Sequence, residues 1–93
     1  MHYLEFLKSK KLTKRQIDVA ELRLIFMSID EISKDLFISE KTTKFHLRGV
    51  YEKLGAKSYL GFYRVMFGYG YLNQESFLEI KNKRFLMLLR RDQ

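Results

Sequence analysis

Lys44 and Arg48 stand four residues apart, with Phe45 between them. On a helix that spacing is one turn, so the two cations project side by side. A guanidinium can bond O6 and N7 of guanine together, a contact worth about 1–3 kcal/mol of base discrimination, and an aromatic ring beside it can touch a thymine methyl. A basic helix face is ordinarily solvated surface, so this chemistry depends on the elements around it.

Other chemistries lack their parts. The 93 residues contain no cysteine, which excludes disulfides, thiolate metal sites and a cysteine nucleophile. There is no phosphate-binding glycine loop, no metal-ligand spacing and no histidine paired to an activated serine, so neither an enzyme nor a metal or other cofactor is expected. His46 borders an apolar stripe and reads as a hydrogen-bonded structural residue, and the other histidine, His2, is far away in sequence. Eighteen Lys+Arg against eleven Asp+Glu give a net charge of +7 and a pI near 9.7, which favours polyanionic partners, either nucleic acid or an anionic membrane surface. The segment Met1 to Lys11 lacks the apolar core of a signal peptide, and Phe85 to Leu89 is too short to span a bilayer. The expectation is a soluble, cytoplasmic protein without a membrane segment, folded as a single domain over residues 1–93.

The elements that would position Lys44 and Arg48 are helices, since proline is absent and four of the five glycines come late. Thr13 with Gln16 has the spacing of a capping box and predicts a helix from about Lys14 to Ile25, with Ile17, Ala20 and Leu24 on one stripe. Ser28 with Glu31 predicts a second helix to about Leu36. Ser39 is a good N-cap and Gly55 a good left-handed C-terminal residue, bounding a third helix from Glu40. Leu47, Val50, Tyr51 and Leu54 form its inner stripe, and Lys41, Lys44, Phe45, Arg48 and Glu52 lie opposite. Ser58 caps a fourth helix, from Tyr59 to about Phe67, and Ser76 with Glu79 offers a capping box for a tail helix ending near Leu89. The cluster Lys8, Lys10, Lys11, Lys14 and Arg15 reads equally as a phosphate-contacting arm and as a solubilising tail.

A short helix, a tight turn and a longer helix with outward cations have the geometry of a helix-turn-helix, whose second helix enters the major groove. The charge follows it: Ser39 to Lys57 carries five cations against two acids, whereas Ser28 to Ile38 carries three acids against Lys34 alone.

The residues Leu12-Thr13-x-Arg15, Glu31-Ile32-Ser33, Leu36-Phe37-Ile38-Ser39-Glu40-Lys41-Thr42-x-Lys44-x-His46 and Lys53-Leu54-Gly55 carry a resemblance. The stretch 12–72 resembles the LuxR-type, GerE-like helix-turn-helix of bacterial transcription factors, without gaps over about sixty positions. The resemblance implies an all-α, four-helix DNA-binding domain, here with an additional C-terminal helix over 73–93. It implies a third helix in the major groove and a fourth that commonly forms a homodimer. By position it puts the base-reading side chains on Lys44, Phe45 and Arg48 and the DNA-backbone contacts on Thr42, His46 and Lys53, to which the outward Lys41 is added. Four departures stand out: Phe26 where the family usually has glycine between its first two helices, Ile29 for a typical small polar residue, Thr43 for a common valine, and Tyr59 for a frequent basic residue. With few residues ahead of Leu12, the chain reads as a stand-alone form of the domain.

The expected function is therefore a sequence-specific, duplex-DNA-binding transcriptional regulator acting as a homodimer. Six aromatic residues between Tyr59 and Tyr71 exceed what a small core needs, which places the dimer interface on Tyr59, Phe62, Tyr63 and Phe67. The alternative is an adaptor or anti-regulator that keeps the fold and grips a second protein through the fourth helix or the tail. The sequence leaves open whether the tail helix extends that interface or folds back on its own domain.

Overall fold

In the computed structural model, which describes residues 2–91, the chain forms six helices and no strand among the described residues. They are α1 Tyr3–Ser9, α2 Lys14–Leu24, α3 Ile29–Leu36, α4 Glu40–Leu54, α5 Tyr59–Gly68 and α6 Gln74–Arg91. The predicted caps of α2 to α5 form. Both capping boxes, Thr13 with Gln16 and Ser28 with Glu31, are closed in both directions, and Ser39 and Ser58 accept from the N–H groups of Thr42 and Gly61. Gly55 ends α4 at φ +70°, a conformation that lacks a Cβ penalty only for glycine.

The two ends of the chain differ from expectation. The N-terminal segment is not a tail but begins with a helix, α1, whose Tyr3, Phe6 and Leu7 are buried at i, i+3, i+4 spacing. Phe6 stacks on Tyr71 at a centroid distance of 3.8 Å. At the other end α6 is capped by Asn73, whose Oδ1 accepts from the Ser76 N–H at 2.9 Å, rather than by a Ser76–Glu79 box. Ser76 is buried inside the first turn, and Glu79 meets the His2 ring at 3.0 Å.

A larger core joins α1, α2, α4, α5 and α6 through Tyr3, Leu7, Leu24, Val50, Phe62 and Ile80. A smaller one under the helix-turn-helix holds Val19, Leu22, Met27, Ile32 and Leu47. The tail folds back. Lys83 Nζ donates to Glu21 Oε2 at 2.7 Å and Arg84 Nε to Asp35 Oδ2 at 2.6 Å, while Arg91 sits 4.7 Å over the Phe37 ring. Glu21 is buried and also accepts from the Tyr3 hydroxyl at 2.5 Å, so one carboxylate ties α1, α2 and α6 together. Burial, and then that carboxylate, push the Tyr3 hydroxyl far up, so Tyr3 stays a neutral donor. The hydrogen bond that Arg84 donates to Asp35 raises the Arg84 guanidinium against the opposing effect of burial.

Among the described residues no helix is long and apolar enough to cross a membrane, and no group of His, Asp and Glu gathers that could hold a metal ion.

Candidate nucleic-acid interface

The turn between α3 and α4 comprises Phe37, Ile38 and Ser39. Phe37 ends α3 in the left-handed region, at φ 56° and ψ 43°, and the Ile38 N–H returns to the Ser33 carbonyl at 3.1 Å. A hydroxyl pair then sets α4 against α3. Ser33 Oγ and Thr43 Oγ1 lie 2.7 Å apart, both buried, with the Ile29 carbonyl 2.7 Å from Ser33 Oγ and the Ser39 carbonyl 3.1 Å from Thr43 Oγ1, so that one hydroxyl donates to the other and the second donates to its own carbonyl. Thr43 replaces the expected valine, and Ser33 satisfies the hydroxyl this brings into the core.

With its inner residues Thr43, Leu47, Val50 and Leu54 buried, α4 turns the opposite side outward. Lys41, Lys44, Phe45 and Arg48 are all exposed there, Phe45 at 66%. Among the described residues Lys44 and Arg48 have no ion pair or hydrogen bond, so their donors remain available. The Phe45 ring meets only His46 edge-on, at 5.6 Å. Thr42, His46, Gly49 and Lys53 follow i, i+4, i+7, i+11 and line one flank of α4. The structure thus brings Lys41, Lys44, Phe45 and Arg48 onto one face and sets Thr42 and His46, both half-buried, beside it.

Lys53 is differently engaged. Its Nζ donates to the Lys11 carbonyl at 2.9 Å and to Gln16 Oε1 at 2.8 Å, pinning the end of α4 to the start of α2. Gly49 makes room for that arrangement, since a Cβ there would collide with the Gln16 amide. A shallow groove beside α4 adds Lys57, from the α4–α5 connection, to the cationic surface of Lys44 and Arg48, with Tyr51 and Tyr59 along its wall.

The aromatic residues expected at a dimer interface divide. Phe62 is fully buried, tilted on Tyr51 at 5.4 Å, and belongs to the core, because its helical phase matches Met66 and not the outer face. Tyr59 covers the Arg23 guanidinium at 3.6 Å. The Tyr63 hydroxyl donates to the Arg23 carbonyl and lies 2.8 Å from that of Tyr59. Burial, and next the Tyr59 bond, push the Tyr63 hydroxyl far up. The Phe26 ring stacks on Tyr63 at 5.0 Å, and the Phe67 ring stacks on Tyr63 at 5.6 Å. What α5 offers outward is Leu60, Arg64 and Phe67, with Leu60 at 60% and Phe67 at 42% exposure. Leu60 and Arg64 were not singled out from the sequence, although their i, i+4, i+7 spacing with Phe67 is visible there.

Comparison with known proteins agrees with this geometry. The family model of the bacterial regulatory proteins, luxR family (GerE), matches residues 10–66. The chain is also similar to the spore germination protein GerE of Bacillus subtilis (strain 168), 43% identical over 53 residues, a match covering 57% of this chain and 72% of that protein. No solved structure matches it. Matched from the connection before α2 through most of α5, the chain belongs to the LuxR family of bacterial regulatory proteins, which are helix-turn-helix DNA-binding transcription regulators and not enzymes.

Proposed function

We propose that this regulator binds duplex DNA sequence-specifically as a homodimer, with α4 in the major groove. Lys44 and Arg48 read base edges, Phe45 contacts a thymine methyl, and Lys41, Thr42 and His46 hold the phosphates beside them. The observation that carries this reading is the outer face of α4, where Lys44 and Arg48 project unpaired from a helix fixed by the Ser39 cap and the Ser33–Thr43 hydroxyls. Lys53, already holding two acceptors, has one N–H left for a phosphate.

The homodimer is assigned to the rim of α5, with Phe67 and the edges of Tyr59 and Tyr63 joined by Leu60 and Arg64. A twofold pair presents two copies of α4 to one side of the duplex, so half-site centres fall about 34 Å, or one helical turn, apart. Selection from a random duplex library at physiological salt tests the proposal. It should enrich a motif with twofold symmetry at that spacing, and recovery of no motif would overturn it. The exposed apolar residues of α6 favour a second reading, an adaptor that keeps this fold for a protein partner, and the failed selection is the result that reading predicts.

A further inference from the structure

Opposite sides of α6 are both apolar. The inner side packs on the domain: Ser76 and Ile80 are buried, Met87 is half-buried, and Lys83 and Arg84 on that side hold Glu21 and Asp35. Half a turn round the helix lie Leu78, Phe85, Leu86 and Leu89, exposed at 52, 61, 55 and 46%. With Asn82 they follow helical spacing and make one stripe about 17 Å long. Contiguous apolar surface of this kind marks a place where something docks.

The charges beside the stripe choose the occupant. Glu79 follows Leu78 and Arg90 follows Leu89, so one acid and one base sit on the same flank at opposite ends. When two copies of a helix pack antiparallel about a twofold axis, the same flank of each meets the other, and every position faces its counterpart across the midpoint. Leu78 then faces Leu89 of the second copy, and Glu79 comes within about 3 Å of rise of Arg90, close enough for the two side chains to pair, each contact formed twice. A parallel pair instead sets opposite flanks together, so Glu79 and Arg90 would meet neither each other nor their counterparts. Glu75 and Glu79 at the N-terminal end of the stripe oppose an anionic membrane there, whereas a second copy pairs that acidic end with its own basic end at Arg90.

We propose that a second copy of this chain docks antiparallel along the outer face of α6, with the twofold axis crossing the helix near Lys83 and Arg84. Glu79 keeps its contact with His2, and about half of its side-chain surface remains open for Arg90 of the second copy. The surface is separate from the rim of α5, so a pair held through α5 can join a second pair through α6, and occupancy of neighbouring DNA sites becomes cooperative.

Sedimentation of the full chain without DNA, over a concentration series, tests this independently of any operator. The parent should show an association step that Phe85→Glu abolishes and Phe67→Glu, on α5, leaves intact. Leu89→Lys repeats the test should Phe85→Glu lose helix content by circular dichroism. Glu79→Arg and Arg90→Glu should each weaken the step roughly threefold to tenfold, and the two together should restore it. A parent with no step sensitive to Phe85 or Leu89, or a combined charge swap as weak as its single variants, would overturn the proposal.

Discussion

Phe26 stands in the left-handed region at φ +70°, where the resemblance leads one to expect glycine, and what it loses and gains there can be weighed. For an L-residue that conformation costs about 1–2 kcal/mol. The residue is 63% exposed, so little more than a third of its surface is withdrawn from water. Taking about 200 Å² for a phenylalanine, that is about 70 Å², or about 2 kcal/mol at 25 cal/mol per Å². Stacking on Tyr63 at 5.0 Å and tilting against Phe77 at 5.8 Å adds about 1 kcal/mol. Phe26→Ala forfeits the ring and keeps the strain, at a cost of about 3 kcal/mol. Phe26→Gly forfeits the ring, relieves the strain and pays the larger backbone entropy of glycine, leaving a cost of about 2 kcal/mol. Thermal unfolding followed by circular dichroism should therefore place the glycine variant about 4–8 °C above the alanine variant, both below the parent. An alanine variant as stable as the glycine variant would refute the claim that strain is stored at this residue, and either variant matching the parent would refute the value given to the stack.

Three further outcomes are expected. Thr43→Val removes one buried hydroxyl bond while Ser33 can still donate to Ile29, so it should cost about 0.5–1.5 kcal/mol. The double variant with Ser33→Ala should cost less than the two singles summed, read by urea unfolding. Affinity for a selected duplex should fall steeply with salt, and Lys41→Ala should weaken all sequences alike and shallow the salt slope by about one, measured by fluorescence anisotropy. Burial raises the Asp18 carboxyl above its ordinary range despite Arg15 nearby, so the charged form opposes folding once the pH exceeds its folded value. Asp18→Asn should accordingly raise the melting midpoint at neutral pH, and that gain should vanish near about pH 3, below the unfolded carboxylate.

The helices that carry the site were readable because each announces itself locally. Thr13 with Gln16, Ser28 with Glu31, and Ser39 with Gly55 are capping signals within a few residues of the boundaries they set, and the stripe Leu47, Val50, Leu54 gives the phase that exposes Lys44 and Arg48. Helix α1 had its own local signal, Tyr3, Phe6 and Leu7, but five cations in the next eight residues masked it as tail. What depends on distant partners could not be read. The fold-back of α6 rests on Lys83 with Glu21 and Arg84 with Asp35, pairs 62 and 49 positions apart. The aromatic surplus near α5 is largely absorbed for the same reason: Phe62 goes to the core, Tyr59 to Arg23 and Tyr63 to Phe26, leaving Leu60 and Phe67 outermost. Lys53, which the resemblance puts on the DNA backbone, also holds the α1–α2 connection through the Lys11 carbonyl, a partner 42 positions away.

The claim that the outer face of α4 reads bases is tested most directly by crossing Arg48→Ala with a single base-pair change in the selected site, all four affinities being measured at one salt concentration. In the parent the base change should cost about 1–3 kcal/mol, and in the Arg48→Ala protein the same change should cost almost nothing, because the side chain that discriminates is gone. If no base pair of the site loses its discrimination when Arg48 is removed, the reading face has been misassigned.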